Sequence, residues 1–234
     1  MFGIFKKKET IKTADLSTVL NDRKISLEKH IPAPLSDKKV KVVFCIDKSG
    51  SMHQMYKSGE VQRLVERIFP VALRFDDDGK MESYSFNTTG SMHPDITIEN
   101  ISGYVNKYIT ANGCTNYRPV MSLISTMVTD DYRKTMPTYV IFITDGDNSD
   151  KEVTKDIMQF ISNQPIFWKF IGIGNERFEF LETLDDMEGR MIDNADFVKI
   201  PDISKISDDE LYKLLMQEFS EWWVNAENHG IINK

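Results

Sequence analysis

The chain reads as an α/β domain: a doubly wound, mostly parallel central sheet of about six strands with one short antiparallel edge strand, and helices on both faces. Two observations carry that reading. From Lys39 onward, short apolar runs alternate with longer stretches whose apolar residues recur every three or four positions, the pattern of strands and their covering helices. Two of the runs, Val42-Val43-Phe44-Cys45-Ile46 and Tyr139-Val140-Ile141-Phe142-Ile143, are unbroken, as strands buried on both faces are. With 234 residues, 41% of them hydrophobic, the chain can bury one substantial core.

The elements follow in order. Residues 1–38 are polar and Lys-rich, with a short helix predicted over Ala14 to Asp22, and they end in the stiff connector Ile31-Pro32-Ala33-Pro34. They form an N-terminal extension to a domain expected over 39–225, with 226–234 as a C-terminal tail. Phe2, Ile4 and Phe5 beside Lys6 to Lys8 are too short a stretch to anchor stably on a membrane and read as a frayed tail, leaving only indirect membrane contact. Strand one is placed at Val40 to Ile46. A helix over Ser58 to Phe75 carries Val61, Leu64, Val65, Ile68, Ala72 and Leu73 on one face. It stops at Asp76-Asp77-Asp78-Gly79, which lacks the spacing of an EF-hand loop and reads as a solvated turn. Strands Met81 to Phe86 and Asp95 to Ile98 flank Asn87 to Gly90, residues suited to a hairpin. A short helix at Ile101 to Ile109 leads into Asn112-Gly113-Cys114-Thr115-Asn116, and Pro119 fits the first turn of a helix to Val128. After the strand Tyr139 to Ile143, Ser149 or Asp150 caps a helix to Ile161. Strand Ile166 to Ile173, helix Phe178 to Met187, strand Phe197 to Ile200 and helix Asp208 to Asn225 complete the chain, the last with Leu211, Leu214, Leu215, Phe219 and Trp222 on one side.

With 36 acidic against 29 basic residues, a net charge of -7, the overall field opposes nucleic acid and anionic membrane surfaces. No apolar stretch approaches 18 residues and the N-terminus lacks the order of a signal peptide, so a soluble, cytoplasmic protein is expected. Two cysteines without CxxC spacing give neither a disulfide framework nor a thiolate metal site. Each lies close in sequence to a candidate ligand, so oxidation of either would disturb the site.

Both unbroken strands stop at a carboxylate. The first runs into Asp47-Lys48-Ser49-Gly50-Ser51 and the second into Thr144-Asp145-Gly146-Asp147-Asn148. Open parallel sheets place ligand sites at the carboxyl ends of strands, where the strand order reverses. Asp47 and Asp145 are thus expected on one edge, joined by Thr115 from a loop that precedes a helix. Asp47, Ser49, Ser51, Thr115 and Asp145 offer only hard oxygen donors, the set Mg²⁺ prefers, with Ca²⁺ or Mn²⁺ as substitutes. Because neutral hydroxyls dominate the set, the ion would retain positive charge and favour an incoming acidic side chain.

These residues resemble the metal-ion-dependent adhesion site (MIDAS) of the von Willebrand factor A (vWA) domain, a Rossmann-like fold: Asp47, Ser49 and Ser51 match its Asp-x-Ser-x-Ser motif, Thr115 its distant Thr and Asp145 its distant Asp. The resemblance implies direct ligation by the serines and the threonine, aspartates acting partly through water, and a position left for a partner's carboxylate. More narrowly, Asp76 to Gly79, Gly113 to Pro119, Pro165 to Trp168 and Leu184 to Ala195 resemble the A domain of tellurium-resistance, TerF-type proteins over roughly residues 39–225. That likeness implies a non-enzymatic, metal-dependent interaction module in a cytoplasmic bacterial tellurium-resistance or stress-response system, with other proteins of that system among its partners. Such proteins can carry a separate calcium-binding Ter module, whose properties do not transfer to this chain.

The alternative is a Mg²⁺-dependent phosphohydrolase with Asp47 as nucleophile, but the position two residues on, where haloacid-dehalogenase-like phosphatases carry an acid/base Asp, holds Ser49. His53 reads as a solvated loop histidine, and Asp147 and Asp150 as a polar turn and helix cap. Gly172-Ile173-Gly174 follows a late strand and makes no dinucleotide fingerprint. Trp168, Trp222 and Trp223 read as packing residues.

Overall fold

The computed structural model describes residues 13–128 and 135–233; the tail bearing Phe2, Ile4, Phe5 and Lys6 to Lys8 lies outside the described residues. Six strands, β1 (Lys41–Asp47), β2 (Met81–Phe86), β3 (Gly90–Ile96), β4 (Thr138–Thr144), β5 (Ile166–Ile173) and β6 (Ala195–Ile200), form one sheet in the order β3-β2-β1-β4-β5-β6. The β1–β2, β1–β4, β4–β5 and β5–β6 pairs are parallel and β2–β3 is antiparallel, as the sequence predicts. The strand order reverses between β1 and β4.

Side-chain alternation divides the core in two. Val42, Phe44 and Ile46 of β1 with Tyr139, Ile141 and Ile143 of β4 face one layer, while Val43, Cys45, Val140 and Phe142 face the other. The first layer is covered by α1 (Thr13–Glu28), α3 (Glu60–Phe75), α4 (Tyr104–Tyr108), α8 (Asp208–Leu215) and α9 (Phe219–Asn228). The second lies under α5 (Arg118–Thr126), α6 (Lys151–Phe160) and α7 (Glu179–Asp185). No helix among the described residues is long and apolar enough to cross a membrane.

The structure differs from the sequence reading mainly in the bounds and breaks of its elements. The helix expected over Ser58 to Phe75 is two: a short α2 (His53–Ser58) turns into α3 at Gly59, whose φ of 77° an L side chain rarely adopts. The terminal helix likewise breaks between α8 and α9, where Glu218 takes a φ of 57° at a cost of roughly 1–2 kcal/mol. β3 begins at Gly90 instead of Asp95, and its register shifts by one residue opposite Met81 and Ser83, between Ile96 and His93. Pro94 sits in that shift; lacking an N–H, it is tolerated on an edge strand at a bulge. Finally, α1 runs well past Asp22 to Glu28, and Leu16, Leu20 and Leu27 are buried in the same core layer as the sheet. At the other end, Ala226, Ile231 and Ile232 are buried there too.

The packing of α1 is tied to a proline. Pro70 lies inside α3 and has no N–H to give to the Glu66 carbonyl one turn earlier. Arg23 Nη1 of α1 donates to that oxygen at 3.0 Å. The same guanidinium meets Asp208 Oδ2 at 2.9 Å, and Arg67 of α3 meets Asp208 Oδ1 at 2.5 Å, so one carboxylate at the start of α8 joins three helices.

β5 holds a residue its apolar pattern hides. Lys169 is fully buried, and its ammonium forms an ion pair with Asp196 of β6, itself buried. Burial pushes the lysine below its ordinary range, and the charges of Glu218 and Asp185 pull it back up. Removing one partner of such a pair strands a charge, which typically costs about 3–5 kcal/mol, whereas replacing both with apolar residues is about neutral. Asp196→Ala is therefore expected to destabilise strongly while Lys169→Met combined with Asp196→Leu retains stability, read by urea denaturation. Arg23→Ala is expected to cost about 1–3 kcal/mol by leaving the Glu66 carbonyl and Asp208 under-satisfied. Pro70→Ala in that background restores a donor to Glu66, so the two substitutions measured together fall short of additivity.

Candidate metal centre

Asp47 ends β1 and is fully buried. Its Oδ1 accepts the Ser49 backbone N–H at 2.6 Å, which turns the chain so that the serine side chains follow, and its Oδ2 accepts the Thr144 hydroxyl at 2.7 Å across from β4. From there the cluster continues outward: Ser49 Oγ lies 3.0 Å from Ser51 Oγ, and Ser51 Oγ donates to Asp145 Oδ1 at 2.8 Å. Four of the five predicted residues thus form one polar cluster running from the core to the surface. Thr115 stands with Ser51 and Asp145 on the wall of a cleft of about 870 Å³.

The three loops that meet here are sewn together by backbone contacts. Asn112 N donates to Lys48 O at 2.7 Å and Gly50 N to Gly113 O at 3.0 Å, joining the first loop to the second. Ser149 N donates to Thr115 O at 2.8 Å, and the Tyr117 hydroxyl to Gly146 O at 2.6 Å, joining the second to the third. Asn87 of the β2–β3 turn supports the middle loop, giving its side-chain N–H to Asn112 Oδ1 at 2.7 Å and accepting Asn116 N on its carbonyl at 2.9 Å.

Asp150 corrects a sequence expectation. It precedes α6 but makes no side-chain bond to that helix. Its two oxygens instead accept Tyr117 N at 2.9 Å and Arg118 N at 3.0 Å, capping the start of α5. Asp147 forms an ion pair with Lys151. His53 is exposed in the first turn of α2, and Cys45 is buried while Cys114 is exposed beside Thr115. Gly172 admits no side chain, because a Cβ there would stand 2.8 Å from the Phe178 ring.

Electrostatically the cluster lacks positive charge. Burial pushes Asp47 up to about 6, with the Thr144 and Ser49 hydrogen bonds holding it down and the charge of Asp145 adding to the rise. Asp145 is raised as well, by burial first, and the charge of Glu176 acts in the same direction. Two carboxylates and three hydroxyls, all oxygen, short of countercharge and opening to a cleft, fit a hard divalent cation: Ser49, Ser51 and Thr115 as hydroxyl donors, Asp47 and Asp145 as carboxylates. Two other acidic groupings among the described residues carry their own countercharge. Lys41 Nζ lies 2.8, 3.2 and 3.5 Å from Asp76, Asp77 and Asp78, so this turn is tied to β1 and not freely solvated. Lys169 serves Asp196, which clusters with Asp185 and Glu218.

Thr144, Tyr56 and Tyr117 were not singled out by sequence. Thr144 had a signal, a hydroxyl directly after an apolar strand and before Asp145. Tyr56, whose hydroxyl reaches the Asp47 carbonyl at 2.8 Å, and Tyr117, whose hydroxyl reaches Gly146 O and Thr144 Oγ1, had none, since partners supplied by the fold leave no mark in the local sequence.

The sheet order, the antiparallel β3 edge and helices on both faces are the architecture of von Willebrand factor A domains, and solved vWA structures share it. Solved structures similar in fold include proximal thread matrix protein 1 from the mussel byssus with a zinc-occupied MIDAS motif, 15% identical with a TM-score of 0.56, and manganese-loaded TRAP protein of Plasmodium vivax, 15% identical with a TM-score of 0.56. The matches cover 76% of this chain and 46% of the mussel chain, and 75% of this chain and 74% of the Plasmodium chain. The chain belongs to the vWA-TerF-like family, described as the vWA found in the TerF C terminus, whose profile matches residues 39–232. An uncharacterized Bacillus subtilis (strain 168) protein, YcbR, is 38% identical over 217 residues, 90% of this chain and 87% of its own length.

Asp150→Ala is expected to remove the cap of α5 at a cost of about 1 kcal/mol, with a matching fall in the urea midpoint, while Asp147→Ala, at an exposed ion pair, changes stability by less than about 0.5 kcal/mol.

Proposed function

We propose that the chain is a protein-interaction module that binds an acidic side chain of its partner through a divalent cation held by Asp47, Ser49, Ser51, Thr115 and Asp145. The observation that carries this reading is the continuous Asp47–Ser49–Ser51–Asp145 cluster, buried at one end and open to the cleft at the other. Family membership supports it, because vWA domains commonly mediate metal-dependent protein interactions, and so do the zinc-occupied MIDAS motif of proximal thread matrix protein 1 and the manganese-loaded state of the TRAP protein. Mg²⁺ is the proposed ion, since it accepts a small set of oxygen ligands and keeps water in its shell; Mn²⁺ and Ca²⁺ are the expected substitutes. The TerF likeness gives a setting, a cytoplasmic bacterial tellurium-resistance or stress-response system whose other proteins are the candidate partners.

The module binds and does not transform. As a nucleophile Asp47 would need an acid/base carboxyl two residues on, and Ser49 offers no proton donor of that type.

Isothermal titration of the protein with Mg²⁺ is expected to give one site, lost in Asp47→Ala. At Mg²⁺ about 100 times its Kd the fold should gain about 2.7 kcal/mol of stability, seen as a raised Tm that EDTA reverses. Partner capture from a bacterial lysate should then depend on Mg²⁺ and fail with Asp145→Ala. Partner retention by either variant in EDTA overturns the proposal.

A further inference from the structure

The loop after β5 brings a second feature to the same cleft. Asn175, Glu176 and Arg177 line it together with Ser51, Thr115, Asp145 and Asp147. Its backbone is fixed at both ends: the buried Phe178 ring packs against Gly172, and Lys199 of β6 donates to Glu176 O at 2.7 Å and Asn175 O at 3.4 Å. The side chains it carries remain exposed. The acidic groups in the cleft are not equivalent. Asp147 is held by Lys151, whereas the Glu176 carboxylate has no ion pair among the described residues and shares the cleft wall with Asp145. An exposed glutamate without a cation partner, held on an anchored loop in the wall of the same cleft as Ser51, Thr115 and Asp145, stands where its carboxylate can meet an ion bound by those residues.

Resting on the reading of the site given above, we propose that Glu176 fills the ion's remaining position in the partner-free protein, so that the acidic group of a partner has to displace a carboxylate belonging to this chain. Physical terms favour the in-chain occupant. Ordering one glutamate side chain costs up to about 2 kcal/mol, while a tethered carboxylate acts at an effective concentration of about millimolar without the loss of freedom that a separate molecule suffers on binding. Displacement sets a threshold: a lone exposed carboxylate does not outcompete Glu176, and a partner must add contacts elsewhere, such as to the exposed guanidinium of Arg177, which stands 3.8 Å from Glu179 at the start of α7. The site is thereby guarded against the free carboxylates of the cell.

The test needs no partner. Mn²⁺ alone is bound to the full chain, with affinity followed by electron paramagnetic resonance and the number of exchanging waters on the ion by water-proton relaxation. Glu176→Gln is expected to weaken Mn²⁺ binding about tenfold, the low end of what loss of a supporting group costs a metal site, and to add one exchanging water. Glu182→Gln, which removes the same charge from an exposed position of α7, leaves both readings at the wild-type values. Equal affinity and hydration in wild type and Glu176→Gln overturn the proposal, as does a loss of affinity shared by Glu182→Gln with no added water. Failure of the underlying reading looks different: Mn²⁺ then binds Asp145→Ala as well as it binds wild type.

Discussion

The parallel pairing of β1 with β4 is the constraint on which the rest of the molecule depends. These strands are neighbours in space but are separated by 90 residues of chain, and their pairing, Ile46 opposite Ile143, sets Asp47 and Thr144 next to each other at the sheet edge. The Thr144 hydroxyl then reaches Asp47 Oδ2, and the residue after it, Asp145, receives Ser51. A one-residue slip in this register would turn every apolar side chain of β4 to the other layer and move Asp145 away from Ser51. The site is therefore specified by the core, because the same pattern that buries Tyr139, Ile141 and Ile143 on one side and Val140 and Phe142 on the other fixes where the carboxylates end.

A second organising theme is the handling of buried charge. Asp208 joins α1, α3 and α8 through two arginines, Lys41 gathers three aspartates in the turn after α3, and Lys169 answers Asp196 under α9. In each case a cation of the chain itself stands among the carboxylates. The Asp47–Asp145 cluster differs: no lysine or arginine of the described residues is ion-paired to either carboxylate, and both are raised by burial. That contrast, more than the motif, sets this group of oxygens apart from the other acidic groupings.

Fold class and strand positions were legible because the apolar runs are long and the strand ends are marked by Asp, Ser, Thr and Gly. The sequence also brought out Asp47, Ser49, Ser51 and Asp145, which the structure joins in one cluster. What it did not convey depends on long-range satisfaction of polar groups. The break at Glu218 has no glycine to mark it, β3 is obscured by Pro94 within an edge bulge, and Lys169 lies silent in a strand whose partner, Asp196, is on another strand. The length of α1 was hidden for the same reason, since its role in relieving the Glu66 carbonyl is set by Pro70, far along the chain. Periodicity records which face is apolar; it does not record which carbonyl has lost its donor.

The cap on α5 has a mechanical meaning. Asp150 sits in the loop that follows Asp145, yet it grips the first two backbone N–H groups at the head of the helix that follows Thr115. With Ser149 on the Thr115 carbonyl and Tyr117 on that of Gly146, two loops far apart in sequence become a single plate hinged on β4 and α5. A pull applied at the cleft is then shared by the sheet edge and an entire helix, so that force at the cleft spreads into the body of the domain instead of peeling away one loop.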